Sequence, residues 1–191
     1  TANAGPGCAD LPGVCHLKDI HPLLWVGNEV AAAHGQYDVV LSTVTPRGKN
    51  GRPEPGLTTH AVMFQDGQGS ETPAGVAFAK KCIAEGAELV RAALDRGSSV
   101  LVHCAWGQNR SCAICCAYAV LHRGMPAFAA IAYVRERNMA ERMYIGQEPP
   151  GGAMHNKAFR EIIRELELER DAAAAAERPA RLEAAAVRST G

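Results

Sequence analysis

The sequence predicts an α/β protein with a central mixed, partly parallel sheet flanked by helices. Short, β-branched apolar runs alternate with longer segments in which apolar residues recur at helical spacing. One long helical segment lies between two of the apolar runs, as in a crossover that joins two parallel strands. The predicted strands are residues 23–27, 39–44, 60–64 and 99–103.

The crossover helix carries the clearest local signals. Thr72 can cap its first turn, Pro73 suits its first helical position, and Gly97 suits its end. Apolar residues recur from Val76 to Leu94, while the other face is charged, so one face is expected to pack on the sheet. Further helices are predicted at residues 111–124, 125–138 and 155–170.

The composition along the chain suggests three parts. Residues 1–17 are predicted to be an N-terminal extension, 18–170 the main domain, and 171–191 an Ala-rich C-terminal helix or tail. Residues 45–59 are rich in Gly and Pro and carry more basic than acidic side chains. This segment is either a solvated loop or a basic rim beside a phosphate site.

Charge and cysteine content limit the possible partners and compartment. Twenty Lys and Arg balance twenty Asp and Glu, so no net charge attracts nucleic acid or an anionic membrane. No apolar run reaches the roughly 18 residues of a membrane span. Seven cysteines cannot all pair, and they lack zinc-finger spacing. We expect the protein to be intracellular and located in the cytoplasm, with the nucleus as the alternative. The sequence does not indicate its oligomeric state.

The segment LVHCAWGQNRS, residues 101–111, ends a predicted strand and begins a predicted helix. Residues 105–110 contain no proline, and Gly107 can take the positive φ that curls a loop until its N–H groups converge on an oxyanion. A helix N-terminus and the Arg110 guanidinium add positive charge there. That field favours the thiolate of Cys104, which makes it a candidate nucleophile. A buried structural cysteine is the alternative.

HCAWGQNRS, residues 103–111, resembles the signature of the cysteine-dependent protein phosphatases: His-Cys, five residues, Arg, then Ser or Thr. LLWVGNEVAAA, the two helices after the loop and the Asn-x-x-Phe pattern in HNKAF resemble the dual-specificity branch, in its atypical type. The resemblance covers about residues 18–168 and implies the dual-specificity phosphatase fold. It implies an enzyme that needs no metal and no cofactor.

The resemblance also implies a role for each residue of the segment. Cys104 would attack phosphorus, His103 would brace the loop, and Ser111 would help the thiolate leave when water hydrolyses a phosphocysteine intermediate. Arg110 and the loop amides would bind the phosphoryl oxygens. The implied substrate-binding residues are Ala105, Trp106, Gly107, Gln108, Asn109 and Arg110.

The family supplies an aspartate as general acid from a loop that precedes the long helix. Asp66 stands in that place, and Glu71 is the alternative. The spacer from Asp66 to Cys104 is longer than is usual in the family, and Asp-Gly is also a common turn dipeptide. Asp66 is therefore expected to be the general acid, with a purely turn-forming role as the other interpretation.

Several substrate classes remain open at this point. The sequence lacks the Lys-Asn-Arg-Tyr segment that deepens the pocket in strictly tyrosine-specific relatives of the family. This favours a shallower site that hydrolyses phosphotyrosine, phosphoserine and phosphothreonine in proteins. An RNA 5′-triphosphatase, a phosphatase acting on a non-protein phosphate ester, and a catalytically silent phosphate-binding module are the alternatives, although nucleic acid is not the expected partner. Trp106 either forms an apolar wall for the substrate or packs on a neighbouring loop.

The remaining cysteines are expected to be core residues. Cys112, Cys115 and Cys116 lie on one face of the helix after the signature, which should pack on the sheet. The alternative is redox control, in which Cys82 or Cys112 forms a reversible disulfide with an oxidised Cys104.

Overall fold

A five-stranded mixed sheet forms the centre of the protein. The computed structural model describes residues 13–34, 36–44, 58–66, 72–144 and 152–189. The strands are β1 (Val14–His16), β2 (Leu24–Gly27), β3 (Val39–Ser42), β4 (Thr58–Ala61) and β5 (Val100–His103). Their order in the sheet is β1-β2-β5-β3-β4; β1 is antiparallel to β2, and all the other pairs are parallel. The predicted fold class is confirmed.

The strands bury both faces of the sheet. Along the central strand β5, Val100 and Val102 point to the larger core and Leu101 to the smaller one, because successive side chains of a strand alternate between faces. The helices are α1 (Glu29–His34), α2 (Pro73–Asp95), α3 (Arg110–Arg123), α4 (Ala127–Tyr144) and α5 (Lys157–Ser189). Helices α2, α3, α4 and α5 contribute to the larger core, whereas α1 covers the smaller one.

Helix α2 is the predicted crossover from β4 to β5. The Thr72 hydroxyl accepts a hydrogen bond from the Gly75 N–H at 3.1 Å, and Pro73 occupies the first position. Both features of the predicted helix start are therefore present. The apolar face of α2 packs on α3, and Gly86 leaves room there for Ile114, whose Cδ1 lies 2.6 Å from where a Cβ would stand.

Helix α3 lies at the centre of the helical layer, and every residue from 111 to 120 is buried. It contacts α2, α4 and α5. Cys112, Cys115 and Cys116 are fully buried, which confirms that they are core residues. Gly124 ends the helix in the left-handed conformation, as predicted, with φ 66°.

Several elements differ from the sequence prediction; α4, for example, extends beyond residue 138 to Tyr144. Strand β1 lies within the predicted extension of residues 1–17, and a strand of three residues among glycines and prolines gives no periodic signal. Strand β4 (Thr58–Ala61) begins within the predicted loop of residues 45–59 and ends before the predicted residue 64, while Val62 and Phe64 remain buried. Helix α5 continues through Pro179 to Ser189, so the Ala-rich segment extends it. The division into domains remains a prediction.

None of the helices in the described part of the chain is both long and apolar enough to cross a bilayer.

Phe159 anchors α5 in the larger core, next to the segment that follows β4. Its ring is fully buried and packs edge-on against Phe64, with ring centroids 5.6 Å apart. We expect Phe159→Ala to lower the free energy of unfolding by about 3–5 kcal/mol, since truncation removes buried surface and leaves a cavity. Leu168→Ala, at an exposed site on the same helix, should change it by only about 0.5 kcal/mol. Equal losses in urea denaturation would contradict this assignment of Phe159 to the core.

Candidate active site

The site lies where β5 ends between its two parallel neighbours. Strand β5 runs between β2 and β3, stops at His103, and is followed by a loop and then by α3, which begins at Arg110. The predicted strand, loop and helix are therefore all present. We call residues 104–109 the oxyanion loop, because this position puts its backbone N–H groups beside a helix N-terminus.

Gly107 sets the shape of the oxyanion loop. Its φ is +67°, and a Cβ built on it would lie 2.7 Å from the Gly27 carbonyl oxygen. Only glycine tolerates both the dihedral and the close approach. From beneath, Asn138 Nδ2 donates to the Gly107 carbonyl oxygen at 2.9 Å, and the Cys112 thiol donates to the same oxygen at 3.3 Å. The loop is thus held on two sides.

Cys104 presents its sulfur to two hydrogen-bond donors. The Gly107 N–H lies 3.1 Å from Cys104 Sγ, and the Ser111 hydroxyl lies 3.3 Å from it. The cysteine is 2% exposed and is one of the residues that line a pocket. A thiolate can accept both hydrogen bonds, so the geometry agrees with the predicted nucleophile and with the predicted place of Ser111.

His103, for which a bracing role is predicted, is fixed at the base of the loop by its backbone. Its carbonyl oxygen accepts hydrogen bonds from the Thr43 N–H at 3.0 Å and the Thr43 hydroxyl at 3.2 Å. Burial lowers the pKa of the His103 ring to about 4, because the charged imidazolium would lose its hydration. The ring is therefore neutral near pH 7, which suits a bracing residue rather than a proton carrier.

Arg110 keeps part of its donor capacity for a ligand. Its Nη1 donates to the Phe64 carbonyl oxygen at 3.4 Å, a long contact. Its Nε is buried and has no hydrogen-bond partner among the described residues. Leaving a buried donor without a partner is costly. The Arg110 Nε is therefore available to donate a hydrogen bond to an oxyanion bound in the pocket. This agrees with the predicted phosphoryl-binding role of Arg110.

These side chains open into one pocket of about 380 Å³. Four of the six predicted substrate-binding residues line this pocket, whereas Ala105 and Gly107 belong to the oxyanion loop but are not among the lining residues. Trp106 is 72% exposed at the rim. The described residues contain no group of three or more His, Cys, Asp or Glu side chains able to hold a metal ion. The lining residues are Asp66, Cys104, Trp106, Gln108, Asn109, Arg110 and His155.

Asp66 reaches this pocket, although it lies far from Cys104 in the chain. Its Oδ2 accepts a hydrogen bond from Asn109 Nδ2 at 3.0 Å, and its Oδ1 accepts one from Asn156 Nδ2 at 3.0 Å. The alternative general acid, Glu71, lies outside the described residues. The structure thus places Asp66 in the lining of the same pocket as Cys104 and Arg110.

Three residues at the site had no predicted role: Asn138, His155 and Asn156. The last two belong to HNKAF, whose Asn-x-x-Phe pattern marked the family resemblance without assigning a function. Asn156 directly precedes the observed start of α5 at Lys157, and its side-chain oxygen accepts the Phe159 N–H at 3.4 Å, as a helix cap does. Their closeness to the oxyanion loop depends on tertiary packing, which no local pattern indicates.

The two cysteines considered for redox control lie in different places. Cys82 is buried in α2 and its thiol donates to the Met63 carbonyl oxygen at 3.9 Å, whereas Cys112 lies directly beneath the oxyanion loop. Burial raises the pKa of both thiols. Neither lines the pocket. A disulfide with Cys104 remains a hypothesis.

Comparisons with known proteins agree with this geometry. Residues 76–147 match the model of the dual specificity phosphatase catalytic domain. Among solved structures, a mouse dual specificity phosphatase complexed with zinc tungstate is 24% identical, with 91% of this chain and 95% of that chain covered and a TM-score of 0.60. Human DUSP28 is 23% identical, with 83% and 94% covered and a TM-score of 0.55.

A viral protein shares the same fold. OH1 from the Orf virus, described as a tyrosine phosphatase with triple substrate specificity, is 18% identical, with 84% of this chain and 89% of that chain covered and a TM-score of 0.54. No curated protein sequence matches the chain.

The family match and the shared fold confirm the resemblance to the dual-specificity phosphatases. The match over residues 76–147 supports the enzyme class that the sequence predicts, a cysteine-dependent protein phosphatase, while the solved structures show the shared fold.

Gly107→Ala should weaken the binding of inorganic phosphate at least about tenfold, because the new methyl group would strike the Gly27 backbone and a left-handed alanine is strained. Isothermal titration of phosphate provides the measurement. Gly124→Ala is the matched control, since Gly124 has φ +66° but no described atom within 4 Å of its would-be Cβ. It should lower stability by about 1 kcal/mol and leave phosphate binding unchanged. The same loss of binding in both variants would refute the steric argument.

Burial of His103 predicts a specific dependence of stability on pH. Between pH 6.5 and about 4 the unfolded chain takes up a proton on this histidine that the folded protein does not, so acid favours unfolding. The contribution lost over that window is about 3 kcal/mol at most. We expect the unfolding free energy of His103→Asn, measured by urea denaturation at several pH values, to fall less steeply than that of the wild type.

His21 and His122, whose pKa values burial also lowers, are present in both proteins and cancel in this comparison. An equal pH slope for His103→Asn and wild type would show that His103 titrates normally.

Proposed function

We propose that this protein hydrolyses phosphomonoesters on protein Tyr, Ser and Thr residues through a phosphocysteine at Cys104. The observation that carries the proposal is the arrangement around Cys104: the residue lines the pocket, two donors are directed at its sulfur, and the buried Nε of Arg110 has no partner among the described residues. A dianionic phosphoryl group matches this combination of oxyanion loop, helix N-terminus and guanidinium.

In the first step the Cys104 thiolate attacks phosphorus. The S–P bond forms while the ester P–O bond breaks, and the electron pair of that bond leaves with the substrate oxygen. Asp66 gives its proton to the leaving oxygen, a contribution typically worth about 10²–10⁴-fold. The loop N–H groups and Arg110 hold the non-bridging oxygens, whose charge they stabilise.

In the second step water attacks phosphorus and gives a proton to the Asp66 carboxylate. The S–P bond breaks, and Cys104 leaves as a thiolate. The Ser111 hydroxyl, 3.3 Å from the sulfur, stabilises the negative charge that develops there. Inorganic phosphate is released and both residues return to their starting protonation states.

The rim of the pocket supports a protein substrate. The exposed Trp106 ring offers an apolar wall to an aryl phosphate or to a side chain that flanks the phosphorylated residue. The RNA 5′-triphosphatase alternative relied in part on basic side chains within residues 45–59, and residues 45–57 lie outside the described part of the chain. None of the six described cysteines forms a disulfide, which supports an intracellular location.

A silent phosphate-binding module remains the competing function. Such a module would need the oxyanion loop and Arg110, but it would have no use for a thiol with a hydroxyl 3.3 Å from its sulfur. The contact between Ser111 and Cys104 therefore favours an enzyme.

Cys104→Ser should abolish turnover of phosphotyrosine and phosphoserine peptides while phosphopeptide binding is retained, because only the nucleophile is removed. Phosphate release and peptide titration measure the two properties separately. Steady-state hydrolysis by Cys104→Ser would refute the covalent mechanism. A wild-type protein that binds phosphopeptides without turnover would identify a silent module, and turnover of only an RNA 5′-triphosphate would identify the RNA alternative.

A further inference from the structure

The pocket contains one titratable side chain that the reaction above does not use, His155. We propose that His155 is a positioning residue that holds the Asp66 carboxylate in place through the side-chain amide of Asn109. The inference rests on the proposed phosphatase function, in which Asp66 supplies and removes the proton.

Asn109 is the central residue of this arrangement. It precedes Arg110 in the oxyanion loop and is only 3% exposed. Its Nδ2 lies 3.0 Å from Asp66 Oδ2, while its Oδ1 accepts the Asn156 N–H at 3.2 Å. If the amide were flipped, its oxygen would face the Asp66 carboxylate. Its orientation therefore decides whether Asp66 meets a donor or a repelling acceptor.

His155 confines the other side of the same amide. Asn109 Nδ2 lies 2.9 Å from Nε2 and 3.3 Å from Nδ1 of the imidazole. A nitrogen so close to both ring nitrogens approaches the face of the ring rather than one in-plane lone pair. A neutral imidazole offers π electrons to an N–H group there. The amide nitrogen of Asn109 is thus enclosed between the His155 ring and the Asp66 carboxylate.

The His155 ring is itself held in position. Its Nδ1 lies 3.0 Å from the Gly152 carbonyl oxygen. A carbonyl only accepts, so Nδ1 must carry the proton, and the neutral ring is the Nδ1–H tautomer. A ring so oriented cannot turn away from Asn109 without losing this hydrogen bond.

The backbone around His155 is docked on the loop and on α5. The Met154 N–H donates to the Gln108 carbonyl oxygen at 2.8 Å, and Arg160 Nη1 donates to the carbonyl oxygens of Met154 and His155 at 2.6 and 2.8 Å. Met154 is fully buried and has φ 53°, an unfavourable conformation for a side-chain-bearing residue. The surroundings hold this strained backbone in place, as is typical of functional sites.

Together these contacts connect three parts of the chain that lie far apart in the sequence. Asp66 comes from the segment after β4, Asn109 from the oxyanion loop, and His155 from the segment before α5. His155 itself makes no described hydrogen bond to Cys104 or Arg110. Its contact with Asn109, whose amide donates to Asp66, assigns it to the proton transfer.

A double-mutant cycle on two substrates tests the proposal. We expect His155→Ala to lower kcat about tenfold on a phosphoserine peptide and only about twofold on 4-nitrophenyl phosphate, whose leaving oxygen needs little protonation. In an Asp66→Asn background, His155→Ala should lower kcat less than about twofold on either substrate, because the carboxyl group that His155 positions is no longer present. His60→Ala, an equivalent exchange on β4 outside the pocket lining, is the control.

Equal losses on both substrates, or an undiminished loss in the Asp66→Asn background, would overturn the role of His155 while leaving Cys104-dependent turnover intact. Absence of Cys104-dependent turnover in the wild type would overturn the phosphatase function and this inference with it. The two failures are therefore distinguishable.

A second measurement on the wild-type protein does not depend on the folding of a variant. Long-range ¹H–¹⁵N correlation spectra should identify neutral His155 as the Nδ1–H tautomer, and an Asn109 side-chain amide proton should be shifted upfield by the ring. An Nε2–H tautomer, or an unshifted amide proton, would contradict the proposal.

Discussion

The close approach of Gly107 to the end of β2 is the constraint on which the site depends. A left-handed glycine pressed against the Gly27 carbonyl turns the oxyanion loop back, so that the Gly107 N–H points at the Cys104 sulfur. The same turn leaves the Gly107 carbonyl pointing into the core, where Asn138 and Cys112 satisfy it. One residue therefore links the sheet, the nucleophile and the helical layer.

The packing of the helices turns this local turn into a site. Helix α3 begins at Arg110, and its residues 111–120 are all buried. The Arg110 guanidinium is therefore attached to a rigid element next to the nucleophile. Helix α4 supplies Asn138 beneath the loop, and the start of α5 brings Asn156 to Asp66. The core thus orients donors that a solvated loop would have to order on binding, which is the physical meaning of preorganisation.

The sequence was sufficient for the parts of the site that are local in the chain. A strand, a glycine-containing loop and a helix within about a dozen residues predicted how Cys104, Arg110 and Ser111 come together, because each element has its own signal. Thr72 and Pro73 likewise predicted the start of the crossover helix. Asp66 was placed from the family resemblance, and the structure brings it to the pocket.

The parts that were missed are those that depend on distant contacts. Strand β1 is defined by its pairing with β2 rather than by any periodicity. Asn138 is one polar residue in a helical pattern, and only the packing of α4 brings it to the Gly107 carbonyl. His155 has no signature of its own, and its relation to Asn109 exists only in the folded chain.

Covalent catalysis by Cys104 is the central claim, and a rapid-quench experiment tests it most directly. Wild-type protein mixed with excess phosphotyrosine peptide and quenched in acid within the first turnover should gain the mass of one phosphoryl group, and the modified peptide after digestion should contain Cys104. If product forms in that turnover while the protein never gains this mass, or if the label lies on another residue, the phosphocysteine mechanism is contradicted.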